Sequence, residues 1–121
     1  MYSLEFTISG LPRIFTNGSH GHWTIKHKAR LTWAKLVAQA IGAKKPSAPL
    51  KIAHAEFVRV SSKEPDFDNL VSSFKGVRDS LIKCGIIEND RSSNLPNPKY
   101  LWEKAAPKRG FIKISIKEVH V

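Results

Sequence analysis

All four aspartates of the chain, Asp66, Asp68, Asp79 and Asp90, fall between residues 66 and 90. Two of them sit in Asp66-Phe67-Asp68-Asn69, just ahead of an apolar helical pattern. In extended backbone, residues two apart share a face with Cα atoms roughly 6.5 to 7 Å apart. Both carboxylates can then lean onto one hard cation. Asp68 has an alternative, as a helix N-cap accepting from the free amides of the first turn. Asp90 alone reads as a turn residue beside Asn89. If the short apolar piece after Gly85 runs back beside the helix start, Asp90 joins Asp66 and Asp68. Three carboxylates within about 5 Å repel by roughly 3 kcal/mol per pair at an effective dielectric of about 20, so they need a divalent cation to coexist ionised. Ligands that are all oxygen favour Mg²⁺, or Mn²⁺ in its place, over zinc.

Two other metal readings fail or stay weak on spacing. A twelve-residue calcium loop beginning at Asp66 requires glycine at 71 and glutamate at 77, where the chain has Val71 and Val77. His20-Gly21-His22 offers two imidazoles with no third ligand near them. Along the helix, Asp68, Ser72, Lys75 and Asp79 follow 4-3-4 spacing, at about 0°, 40°, −20° and 20° on one unbroken helix. That polar stripe faces away from the apolar one. It reads as a solvated face with Lys75 and Asp79 as an i,i+4 ion pair, or as a lysine set beside the carboxylates.

The rest of the chain is basic. Among 121 residues, 20 Lys and Arg stand against 10 Asp and Glu, a formal charge of +10. This suggests a polyanionic partner, most simply nucleic acid. Carboxylate-held Mg²⁺ in such a chain suggests phosphodiester hydrolysis, because the metal acidifies a water and stabilises charge on the phosphate. A lysine adds a fixed positive charge. Anionic catalytic groups repel DNA, so a basic surround is what that chemistry requires.

Other classes are excluded or disfavoured. No apolar run approaches the ~20 residues of a membrane span, so no membrane partner is expected. The opening Met-Tyr-Ser-Leu-Glu-Phe lacks the basic and apolar regions of a secretory signal. The single cysteine, Cys84, forms no internal disulfide and rules out zinc sites needing several thiolates. A cytoplasmic protein is expected, as one domain over residues 1 to 121.

The elements that must position these residues follow from periodicity. Residues 2 to 9 alternate as a half-buried strand, with Tyr2, Leu4, Phe6 and Ile8 on one side. Glycines and Pro12 make residues 10 to 22 a loop. Ala29, Trp33, Leu36, Val37 and Ala40 mark a helix over residues 25 to 41, stopped by Gly42. Residues 50 to 60 read as a second strand. Leu70, Phe74, Val77 and Leu81 fall within about 60° of arc and predict one helix over residues 69 to 84, ended by Gly85. Ile86-Ile87 predict a short strand, and residues 99 to 104 and 110 to 119 two more. The order β-α-β-α-(β)-β-β predicts an α/β or α+β domain with a mixed sheet and two main helices.

The ensemble Asp66-Phe67-Asp68-Asn69-Leu70, Lys75, Asp79-Ser80-Leu81, Gly85 and Asp90 resembles the RusA family of Holliday junction resolvases, which are bacterial and prophage-encoded endonucleases. The motif block spans residues 66 to 90, and the flanking layout agrees. The resemblance implies that Asp66, Asp68 and Asp90 hold catalytic Mg²⁺ and that Lys75 supports cleavage. It implies that Asn69 orients the site from behind the ligands, and that a homodimer cuts paired strands of four-way junction DNA. Lys75 stands about three residues further from Asp68 than in the best-known member, a turn of about 60° on a helix. Lys63-Glu64-Pro65 stands where that member has arginines, so other groups must contact phosphate. Candidates are Lys26, Lys28, Arg30 and Lys35 on the first helix, then Lys44 and Lys45. Trp23 either stacks on exposed bases or joins the core. Two alternatives remain: a non-catalytic nucleic-acid-binding module, and a nuclease for flaps or forks.

Overall fold

Alternation and helical spacing set eight elements among the described residues. In chain order they are β1 (Ser3–Ser9), α1 (Trp23–Ile41), a 3₁₀ turn (Gly42–Lys44), β2 (Ala53–Ser61), α2 (Phe67–Ser73), α3 (Lys75–Lys83), β3 (Lys99–Lys104) and β4 (Phe111–Glu118). The computed structural model describes residues 1–12 and 23–119, with the side chains of α1 from His27 onward. The four strands form one sheet in the order β1-β4-β2-β3. β4 is antiparallel to both β1 and β2, and β2 is parallel to β3. Three strands therefore point one way and β4 returns between them. The fold is α+β with a mixed sheet, as the element order predicts.

The core lies between the helices and one sheet face. β1 contributes Leu4, Phe6 and Ile8, β4 contributes Ile112, Ile114 and Ile116, and β2 contributes Ala53, Ala55 and Phe57. Across from them stand Trp33, Val37 and Ile41 of α1 and Leu70, Phe74, Val77 and Leu81 of α2 and α3. Each helical set follows the spacing that predicted it. α1 lies against β1 and α3, and α2 against β3.

The opposite face has no covering helix among the described residues, yet Val58 and Val60 are buried there at 5% exposure each. Register explains this. Val58 lies between Leu101 and Lys113, and Val60 between Glu103 and Phe111. Lys113 Nζ reaches Glu103 Oε1 at 3.0 Å, across β2. The long side chains of the flanking strands arch over the two valines, with apolar stems inward and charges outward.

Two expectations need correction. The helix predicted over residues 69 to 84 is interrupted at Phe74, with φ −90° and ψ 1°. Ser73 Oγ donates to Leu70 O at 2.8 Å, and Ser72 Oγ to Asn69 O at 3.2 Å. Phe74 N then turns to Val71 O, three residues back, rather than to Leu70 O. Serine hydroxyls competing for helical carbonyls bend helices. The aromatic side chain is satisfied by the bend: Phe74 is fully buried against Phe57, with centroids 5.3 Å apart. Secondly, the short strand predicted at Ile86-Ile87 is one parallel bridge, Leu50 to Ile87. α3 does stop at Gly85, which takes φ +77°. Ile86 N bonds Leu81 O and Gly85 N bonds Ile82 O, each at 3.0 Å, the paired closure that glycine permits at a helix end. Among the described residues no helix is long and apolar enough to cross a membrane.

Candidate acidic site and its surroundings

The site begins where β2 ends. Ser61 Oγ accepts from Trp102 Nε1 and donates to Lys63 O, both at 2.9 Å. Ala105 N bonds Ser61 O at 3.0 Å. These bonds fix the strand exit and send the chain through Pro65 into α2. Asp66 takes the N-cap position, with φ −57° and ψ 149°, and its carbonyl accepts from Leu70 N. Its carboxylate makes no capping bond. The cap alternative for Asp68 is not realised, because Asp68 lies inside the first turn, two residues past the N-cap position that Asp66 occupies. Both side chains are exposed. Neither takes part in an ion pair or side-chain hydrogen bond with the described residues.

Asn69 is half-buried, and its carbonyl accepts from Ser72 Oγ. Lys75 opens α3 and is exposed, and Asp79 is half-buried one turn on. The Lys75–Asp79 ion pair read from spacing does not form, since ion pairs among the described residues are Arg78–Asp90 and Lys113–Glu103. Basic-before-acidic is the weaker order for such a pair on a helix, and an exposed lysine loses entropy by adopting it. The angular stripe from Asp68 to Asp79 also assumed an unbroken helix, so its phase does not carry across Phe74. What does hold is the direction: Asp68, Ser72 and Lys75 face outward while Leu70, Phe74, Val77 and Leu81 are buried.

Arg78 is the residue that sequence reasoning missed. Its Nη1 donates to Tyr100 Oη and to Val71 O, the latter at 3.5 Å. Its guanidinium carbon lies 5.6 Å from the Tyr100 ring centroid, and its Nε lies 3.9 Å from Asp90 Oδ2. One planar fork thus touches the end of α2, strand β3 and the Asp90 loop, a use only arginine geometry serves. The available signal was its place at the edge of the apolar stripe, four residues after Phe74 and one before Asp79.

Asp90 is held from two sides, by Arg78 at its carboxylate and by Asn89, whose Oδ1 accepts from Asp90 N at 2.8 Å. The structure therefore sets Asp66 and Asp68 together at the start of α2 and ties Asp90 to Arg78. Among the described residues no three His, Cys, Asp or Glu side chains converge into one metal-holding group.

The basic candidates divide by position. Lys28, Arg30 and Lys35 are exposed on α1. The side chains of Trp23 and Lys26 lie outside those described, and His20 and His22 lie outside the described residues. Lys44 and Lys45 are exposed at the far end of α1, where Tyr2 Oη donates to Lys44 O at 2.6 Å. A further cation is internal. Arg59 is 8% exposed and donates Nη1 to Pro12 O at 2.8 Å, fastening the chain after β1 to β2. Burial lowers its pKa from the usual arginine value. No family model matches the chain, and no curated protein matches it.

Proposed function

We propose that this chain is a divalent-cation-dependent endonuclease acting on branched DNA, of the kind that resolves Holliday junctions. The observation that carries the proposal is the pair Asp66 and Asp68, two exposed carboxylates engaged by no described donor, in a chain of net charge +10. Oxygen donors left open in this way suit a hard cation such as Mg²⁺ or Mn²⁺. Asp90 would be the third donor, and Arg78 holds its carboxylate at a separation of 3.9 Å, long enough for the pair to part. When bound, the cation would supply an acidified water and offset charge on the phosphate. Lys75, exposed and without an acidic partner among the described residues, adds a fixed charge for the same phosphate. Asn69 and Asp79 would support these groups from behind. Paired incision of a two-fold junction calls for two active sites and hence a homodimer, and the resemblance to the resolvase family implies a bacterial or prophage-encoded protein of the cytoplasm.

A labelled four-way junction tests this, with Mg²⁺ or EDTA, beside plain duplex, flap and fork. Symmetric cutting that needs Mg²⁺ and is abolished in Asp68→Asn is expected, with junction binding retained or tightened by the lost negative charge. Cutting that survives EDTA or the substitution defeats the proposal, and faster cutting of flaps or forks redirects it. The second reading is a non-catalytic nucleic-acid-binding module, favoured by the engagement of Asp90 with Arg78 rather than with Asp66 and Asp68. It expects salt-dependent binding and no incision with any divalent ion.

A further inference from the structure

β1, β2 and β3 all finish at one end of the sheet, because β4 is antiparallel to β1 and β2 and β3 is parallel to β2. α2 starts from that end, so Asp66 and Asp68 belong to it. The turn between β3 and β4 is there too, fastened by Gly10 N to Gly110 O at 2.9 Å and by Arg109 N to Ala106 O at 3.2 Å. It carries Lys108, in the left-handed region at φ +65°, and Arg109, both exposed. Lys104 at the end of β3 and Lys63 after β2 are exposed beside it. None of the four forms an ion pair with a described residue.

Between the turn and the end of β1 lies a concavity of about 480 Å³. Its polar lining is Thr7, Ser9, Lys108 and Arg109, with no carboxylate among the described residues. Other hollows differ in charge. The one on the open sheet face, about 930 Å³, mixes Glu5, Glu56 and Glu103 with Lys99, Lys113 and Lys117. The one at the opposite end carries Lys51 and Glu118 among prolines and aliphatic groups. Two cations and two hydroxyls without an acid are what a phosphate oxygen needs, charge to attract it and donors to position it.

We propose that the backbone of nucleic acid docks on this end of the sheet, with Lys108 and Arg109 of the β3–β4 turn contacting phosphate, flanked by Lys104 and Lys63. The placement rests on the nucleic-acid reading above and refines it. It moves the main contacts from the first helix to loops sharing an end with Asp66 and Asp68, and it excludes Lys44 and Lys45, which stand beside Tyr2 at the other end. The turn and the two open carboxylates share this end of the sheet.

The test is fluorescence-anisotropy titration of a labelled four-way junction and a duplex in EDTA, over a series of KCl concentrations. Binding is then read apart from cutting. Lys108→Gln with Arg109→Gln should weaken binding about tenfold or more and reduce the salt slope by about 1.8, or about 0.9 per lost phosphate contact. Lys63→Gln with Lys104→Gln should act in the same direction. Lys44→Gln with Lys45→Gln removes the same charge and should leave the slope unchanged. Thermal melts establish that each exposed pair leaves the fold intact. If the wild type binds and all three pairs weaken it equally, the attraction is only net charge and the surface is wrong. If the wild type binds and the turn pair changes nothing, the surface alone is overturned. A wild type that binds neither DNA overturns the nucleic-acid reading together with it.

Discussion

The two ends of the sheet are built for different purposes. Where β2 and β3 begin, backbone from distant segments is stitched together: Leu50 N to Ile86 O, Glu88 N to Leu50 O, Ala53 N to Asn94 O and Val119 N to Ile52 O, all between 2.9 and 3.0 Å. Leu50, Ile86, Ile87 and Leu95 are buried under this stitching at 4% exposure or less. Where β1, β2 and β3 finish, the outward groups are Asp66, Asp68, Lys104, Lys108 and Arg109, all exposed and without ion-pair partners among the described residues. A charge that is to meet a ligand must stay unpaired, and in that state it adds little to stability. Stability then has to come from elsewhere, from the core between helices and sheet and from the buried groups at the far end of the same sheet. Asp90 is divided between the two. Its backbone lies between Glu88 and the turn at Arg91, on the sealed side, and Arg78 holds its carboxylate.

The comparison can be broken most directly at the sealed end. Ile87→Ala removes a side chain that is 1% exposed and leaves a cavity beside Leu50. A loss of about 2 to 5 kcal/mol is expected in urea denaturation. Asp68→Asn at the other end should stay within about 0.5 kcal/mol of wild type, as exposed substitutions do. Equal losses would mean that the ends do not divide the work.

Arg78 comes next in size. Arg78→Met keeps the stem and removes the guanidinium, leaving Tyr100 Oη without its donor and Asp90 without its ion-pair partner. A loss of about 1 to 3 kcal/mol is expected. Arg78→Lys should recover only part of it, because an ammonium cannot reach three partners in one plane. If both variants melt like wild type, the Asp90 loop does not depend on Arg78. A double-mutant cycle with Tyr100→Phe measures the coupling directly.

Much of this division was legible in the residues. Strict alternation in residues 3 to 9 and 111 to 118 gave strands with one buried face, and the spacing of Trp33, Val37, Leu70 and Leu81 gave the helical faces packed on them. Local signals also placed Asp66 and Asp68 at an exposed helix start. What escaped was tertiary or competitive. The parallel bridge of Leu50 with Ile87 joins residues far apart in sequence, which no local pattern encodes. The break at Phe74 is carried by Ser72 and Ser73 hydroxyls, but the apolar 4-3-4 stripe runs through it and reads as continuous. Arg78 escaped notice because its partners, Tyr100 and Asp90, come from later segments. The expected meeting of Asp90 with Asp66 and Asp68 depended on how a loop returns, and in the structure its carboxylate meets Arg78 instead.

The smallest effect belongs to the open face between the ends. The Lys113–Glu103 pair is close, at 3.0 Å, yet its side chains are 41% and 52% exposed. Water screens such a pair, and holding two long side chains costs entropy, so Glu103→Gln should lose only about 0.2 to 1 kcal/mol. The remaining stability of that face comes from Val58 and Val60 beneath the arch, which the substitution leaves covered by the same aliphatic stems. Added salt should shrink the difference between Glu103→Gln and wild type, because an exposed pair loses its attraction as ions accumulate. The cost of Ile87→Ala, which is a matter of buried volume, should persist at the same salt. A Glu103→Gln loss that rivals Ile87→Ala and resists salt would show the arch to be a sealed structure in its own right, and would move part of the stability from the end of the sheet to its face.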